Sequence, residues 1–378
     1  MTQLQQPVRF RFLPSGRWVK KPVEPTAKSK AIRYLVRLAA TFTFLLVGSY
    51  LFVEWAGLRF YQPWTMQMMH KVTYFQSNVI HPEVVYLGTS QVHNSVMPMV
   101  IDAEAKKLGF QIATQHNLAV PGADIEISWV LARDLLKGDR LPKVLVVGVF
   151  PLILSKEHKG SEFFPRYGNL SDVADRVWHG EGALSDLGMV SRRGLENLLQ
   201  LPFYRFRKVL PGYRWDFLEE SQGGSWVPRM ADQPASRTDQ EWQQVLLNIN
   251  RGDVNQMTFS NDTRPARILN KFRDLAKERG MVLLVILPPQ RLKATQFYNR
   301  YDTWMTNFCQ QEGIAYFNLN DEDAYDRDDF VDPYHLNVKG AEKFSRALTP
   351  YIIQAVKQTR SKEAATVANQ GTAARVLP

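Results

Sequence analysis

Five short apolar runs constrain the fold of this chain more than any other feature of its sequence. They are VVYLG (Val84–Gly88), FQIATQHNLA (Phe110–Ala119), KVLVVGVF (Lys143–Phe150), MVLLVILP (Met281–Pro288) and IAYFNLN (Ile314–Asn320). Rich in Val, Ile and Leu and without polar alternation, they read as strands covered on both faces. Between them lie segments with helical spacing. MPMVIDAEAKKLG, RPARILNKFRDLAKERG and QFYNRYDTWMTNFCQQEG each end at a glycine stop, and DIEISWVLARDLLKGD and NVKGAEKFSRALTPYIIQAVKQT complete the set. Strands alternating with helices specify an α/β fold with a mostly parallel five-stranded sheet and helices on both faces.

The rhythm fails at both ends and once in the middle. Residues 1–37 carry nine Lys or Arg against a single acid, Glu24, so most of the +10 net charge sits in an N-terminal tail. LAATFTFLLVGSYLFV (Leu38–Val53) follows without an ionisable group. A basic segment before an apolar run reads as a single-pass signal anchor over residues 38–57, with the tail (1–37) in the cytoplasm. The run ends in Glu54-Trp55 rather than a small-x-small site, which argues against cleavage. The expected location is the inner (cytoplasmic) membrane, with the main domain (58–360) periplasmic or extracellular. A largely helical cap is expected as an insertion at about 152–264, and a disordered tail at 361–378. Cys309 is the only cysteine, so no disulfide framework forms. Because the basic charge is concentrated in the tail, nucleic acid is not an expected partner.

In open α/β sheets ligands collect at the carboxyl ends of the strands. There the sequence places Ser90 after the first strand, Asn117–Asp124 (NLAVPGAD) after the second and Gly148–Pro151 (GVFP) after the third. Asp332 and His335 stand just before the last helix in FVDPYHLNVKGAEKF. A serine hydroxyl needs a base to become a nucleophile, and a carboxylate fixes that base's tautomer. Asp332 and His335, three apart, can share one helical turn. The Ser90 and Gly122 backbone N–H groups are candidate donors to an oxyanion. The alternative for Ser90 is a helix cap after a Gly-Thr-Ser turn. His93 and Asn94 read as solvated first-turn residues, with a substrate contact as the alternative. The acidic run Asn320–Asp329 lacks the glycine and glutamate of an EF-hand and reads as a solvated loop. No His-Glu-x-x-His spacing and no phosphate-binding glycine loop is present, so neither metal nor cofactor is expected.

Gly88-Thr89-Ser90, the glycine after the second strand and Asp332-Pro-Tyr-His335-Leu-Asn together resemble the SGNH (GDSL-type) hydrolase superfamily. That resemblance implies a flavodoxin-like three-layer sandwich, with Ser90, His335 and Asp332 catalytic and Ser90 and Gly122 at the oxyanion hole. The anchor further resembles the branch holding the D-alanyl transfer protein of teichoic acid modification and the alginate O-acetylation proteins. Those work on cell-envelope polymers beside a membrane-bound O-acyltransferase. The expectation is therefore a serine O-acyltransferase acting on an envelope or exported polysaccharide, with such an acyltransferase as a possible partner. An esterase or deacetylase, and a non-catalytic polysaccharide-binding or assembly factor, are the alternatives. Two departures stand out: Thr89 replaces the family's usual Asp, and Gly148-Val149-Phe150-Pro151 lacks the Asn of its third block.

Overall fold

A computed structural model describes residues 10–12, 18–20, 27–59, 66–155, 170–180, 257–291, 295–321 and 323–373. Strands β1 (Phe10–Phe12) and β2 (Trp18–Lys20) pair antiparallel within the basic tail. Helices α1 (Ala27–Arg59) and α2 (Met66–Asn78) follow. Five of the remaining strands form one sheet: β3 (Val84–Leu87), β4 (Gln115–Asn117), β5 (Val144–Gly148), β6 (Val282–Leu287) and β7 (Ala315–Asn318). Their order is β4-β3-β5-β6-β7 and every pairing is parallel. This is the flavodoxin-like order, in which winding reverses beside the first strand of the sheet. A crevice therefore opens at the carboxyl ends of β3 and β5.

Strand periodicity divides the core into two layers. Val85, Leu87, Leu145, Val147 and Val285 face α5 (Ile125–Leu135), α8 (Arg264–Glu278) and α9 (Thr295–Glu312), joined by Val72 and Phe75 of α2. Val84, Tyr86, Val144, Val146 and Ile286 face α3 (Ser90–Ser95), α4 (Pro98–Lys107) and α10 (Val338–Ala373). Alternate residues reach opposite faces because successive Cβ atoms point apart along a strand. Burial on both sides of β3, β5 and β6 explains why their runs show no polar alternation.

Several bounds differ from the sequence reading. β4 covers only part of its apolar run, because it is an edge strand whose one partner, the short β3, faces it over Val84–Tyr86. The apolar helix begins at Ala27, well before Leu38, since Lys, Arg, Leu and Ala all favour helix. Its segment Ala27–Ser49 is long and apolar enough to cross a membrane, and Phe44 and Leu45 are among its exposed side chains. The tail expected to be disordered from 361 is helical to Ala373, with Glu363 paired to Lys143 at 2.6 Å. The expected insertion falls mostly outside the described residues. Within it, α6 (Pro151–Leu154) and α7 (Leu170–Trp178) are helical. Two further short strands, β8 (Phe330–Asp332) and β9 (His335–Leu336), pair antiparallel ahead of α10.

Candidate active site

β3 ends at Leu87, and the chain turns at Gly88 with φ +150°. A Cβ there would come within 2.6 Å of Val92 Cγ2 and 3.0 Å of the Gly148 carbonyl oxygen, so only glycine fits. Thr89 is the N-cap of α3, its side chain accepting from the Gln91 N–H at 3.1 Å. The cap is thus supplied by the residue before Ser90. Ser90 opens the helix with its hydroxyl uncommitted to capping.

The Ser90 hydroxyl meets His335 Nε2 at 2.7 Å. On the ring's other side, Nδ1 lies 2.9 and 2.8 Å from the two carboxylate oxygens of Asp332. A carboxylate only accepts, so Nδ1 carries the proton and Nε2 is left to accept from Ser90. Burial alone pushes the Asp332 carboxyl up. The His335 hydrogen bond and charge outweigh that, together with the Tyr334 and His335 N–H groups, and the net shift is downward. Asp332 is therefore ionised at neutral pH. Asp332 and His335 do not share a helical turn: they face each other across the tight turn joining β8 and β9.

The β9 end is secured by neighbours the sequence reading gave no role. Asn337 Oδ1 accepts from the Gly340 N–H at 3.0 Å and so caps α10, while its amide donates to the Asp328 carbonyl at 2.6 Å. A Cβ at Gly340 would overlap the Asp329 carbonyl, so helix and loop pack backbone to backbone. Asp329, expected in a solvated loop, is instead fully buried and accepts from Lys343 at 2.6 Å.

Gly122 occupies a Pro-Gly turn. Ala123 N–H donates to the Val120 carbonyl at 3.1 Å, and Gly122 has φ +75°, the signature of a type II turn. Among the described residues, neither the Gly122 nor the Ser90 N–H is engaged in a hydrogen bond. Both residues line a cavity of about 310 Å³ with His335, Phe150, Ile153 and Tyr334. Phe150 and Tyr334 meet edge to face at 5.6 Å. An apolar wall therefore stands where the resembled family carries its third-block Asn.

His93 is not solvated, and Asn94 only partly so. His93 is 1% exposed, and Lys71 Nζ lies 2.7 Å from its Nδ1. Asn94 is half-buried. Sequence reasoning also passed over Lys71, Asn117 and Gln290. Gln290 is buried, takes a hydrogen bond from Tyr298 and reaches Gln91 at 3.5 Å. No local signal marks these three, because each acts on residues distant in the chain. Chemically, the site offers a hydroxyl aligned on an imidazole nitrogen, a carboxylate holding that ring, two amide donors and an apolar pocket. Those are the parts of nucleophilic acyl transfer.

No family model matches the chain, and no curated protein is similar to it. Among solved structures, it is similar to a candidate acylhydrolase of Bacteroides fragilis, at 9% identity over 78% of this chain and 100% of that one (TM-score 0.37). A lipase/acylhydrolase of Enterococcus faecalis shares 11% identity over 72% and 96% (TM-score 0.35). A GDSL-like lipase of Bacteroides thetaiotaomicron shares 8% identity over 76% and 98% (TM-score 0.34). The functional reading rests on the hydrogen-bonded run from Ser90 through His335 to Asp332.

Proposed function

We propose that this chain is a membrane-anchored serine acyltransferase of the SGNH type, which moves an acyl group onto a hydroxyl of an envelope or exported polysaccharide. The single observation that carries the reading is the 2.7 Å contact between Ser90 Oγ and a His335 whose other nitrogen is held by Asp332. In this reading Ser90 attacks an acyl carbonyl while His335 Nε2 takes the hydroxyl proton. The charge developing on the carbonyl oxygen is met by the Ser90 and Gly122 amides. Collapse of that intermediate expels the leaving group with the proton from His335 and leaves an acyl-Ser90 ester. An acceptor hydroxyl then gives its proton to His335 and takes the acyl group, restoring Ser90. The Phe150–Tyr334 wall receives the acyl chain. The apolar span of α1 and the basic tail support anchoring with the site on the far side of the membrane.

The full-length protein in detergent, treated with a fluorophosphonate and examined by mass spectrometry, tests this directly. Labelling at Ser90 is expected, and its rate should fall by roughly 10³-fold or more in His335→Ala. A folded protein unlabelled at Ser90 would instead favour a binding or assembly factor. Product analysis with an acyl ester and an oligosaccharide then separates transfer from release to water, the latter making it an esterase or deacetylase.

A further inference from the structure

Helix α3, which carries Ser90, and the loop 118–124, which carries Gly122, are joined beneath the pocket by two buried side chains. Asn117 Nδ2 donates to the carbonyls of Val92 (3.2 Å) and Val96 (3.0 Å), at the far end of α3. Its Oδ1 accepts from the Ala119 N–H at 3.0 Å. Lys71 reaches in from α2 and is 1% exposed. Its Nζ lies 2.8 Å from the Ala119 carbonyl oxygen and 2.7 Å from His93 Nδ1, back on α3. Both polar groups of the Ala119 backbone are thus held by side chains that also grip α3.

A lysine is almost never fully buried without a specific partner, because taking its amine out of water is costly. α2 does not need it for packing, since Val72 and Phe75 already anchor that helix in the core. Burial, and next the neighbouring Lys71, hold His93 well below the usual imidazole value, and its Nδ1 lies 2.7 Å from Lys71 Nζ and 3.3 Å from the Ala119 carbonyl oxygen. The amine is therefore spent on two contacts, one on each side of the gap between Ser90 and Gly122.

We propose that Lys71 and Asn117 are positioning residues that set the spacing of the Ser90 and Gly122 amides, and so the geometry of the oxyanion site. The proposal rests on the acyl-transfer reading above, and it makes α2, the helix that precedes β3, a support of the active site. A displacement of the order of 1 Å at such a site lowers turnover by roughly 100-fold.

The test uses the full-length protein and Lys71→Met, which replaces the amine with an apolar side chain of similar length. It leaves the buried Ala119 carbonyl and His93 Nδ1 without this contact, so the melting temperature is expected to fall. The expected signature is a kcat for a 4-nitrophenyl ester, counted per fluorophosphonate-titrated site, reduced by about 10- to 100-fold, with KM little changed. A merely structural lysine would lower the melting temperature alike but leave turnover per fluorophosphonate-titrated site unchanged. That result would overturn the proposal. Asn117→Asp keeps the volume and the Oδ1 acceptor but loses the donors to Val92 and Val96. It should show the same kcat loss, and an unchanged kcat counts against the proposal should Lys71→Met fail to fold. Amide exchange in residues 118–124, measured on the same proteins, needs no activity at all. Faster exchange in either variant is expected, and unchanged exchange in both overturns the positioning role. A wild type inert to every ester, with exchange altered as expected, would sink the acyl-transfer reading and leave the cross-link standing.

Discussion

Val92 stands between Gly88, just past the end of β3, and Gly148, the last residue of β5, and a Cβ at either glycine would run into its side chain. The first turn of α3 can therefore sit against the sheet edge only because both positions are glycine. Gly148→Ala should destabilise the protein by about 1–3 kcal/mol through overpacking. Val92→Ala should cost about the same through the cavity it leaves. Since the added methyl fills the space the lost ones vacate, the double variant should cost clearly less than the sum. Denaturant unfolding of the four proteins checks this, and strict additivity would mean that Val92 moves aside freely. Thr89 gives a second case. Thr89→Ala, which removes the α3 cap, should cost about 1 kcal/mol and slow labelling of Ser90, whereas Thr89→Ser should preserve both. That Ser90, Asp332 and His335 come together was legible in the sequence, because the proposed nucleophile, base and orienting carboxylate must come from a short list of residue types. Lys71 was not. In MQMMHKVTYFQSN it looks like any solvated helix lysine, and only the packing of α2 shows that its amine reaches Ala119.

At the scale of elements, β3, β5 and β6 were readable because double-sided burial writes itself as unbroken apolar runs. The edge strands β4, made of Gln115, His116 and Asn117, and β7, exposed or half-buried, lack that mark, and their ends depended on partners. The β8–β9 turn was misread for a physical reason: a helical turn and a β-turn both bring residues i and i+3 together, so Asp-x-x-His spacing cannot separate them. What distinguishes the turn is its support. Asp329 is buried below it and paired with Lys343 at 2.6 Å and Lys339 at 3.4 Å. Burial pushes the Asp329 carboxyl up, but Lys343, the Asp326 N–H and Lys339 together hold it below the usual carboxylate value. Asp332 is likewise depressed on balance. A carboxylate with a lowered folded pKa contributes stability that is complete above its unfolded value, about 4. That contribution disappears as pH falls through the folded value. The segment 326–336 should therefore loosen first on acidification, with faster amide exchange there below about pH 4 while the sheet stays protected. Asp329→Asn should cost about 1.5–3 kcal/mol at neutral pH and flatten the acid limb of the stability curve. An acid limb identical to that of the wild type would show that Asp329 is not its source.

For the molecule as a whole, the proposed anchor raises the question of which side of a membrane the site would work on. The segment Ala27–Ser49 has 23 residues, roughly 35 Å of helix, against a hydrocarbon core of about 30 Å. Its first residues belong to the basic tail, which the positive-inside rule would retain in the cytoplasm. Length and composition made the span readable from sequence; its early start at Ala27 was not, because helix propensity continues into the charged stretch while apolarity does not. Cys309, the chain's only cysteine, makes the orientation measurable. It is 2% exposed, and burial pushes its thiol up to about 12, so it is a poor target for thiol reagents at neutral pH. Cysteines introduced singly elsewhere should report against almost no background. Lys106→Cys, exposed on α4, should react with a membrane-impermeant maleimide in intact cells, whereas Ala27→Cys should react only after the cells are opened. The opposite pattern would put the pocket in the cytoplasm. An envelope or exported polysaccharide could not then reach Ser90, and the acceptor in the proposed reaction would have to be sought among cytoplasmic hydroxyls.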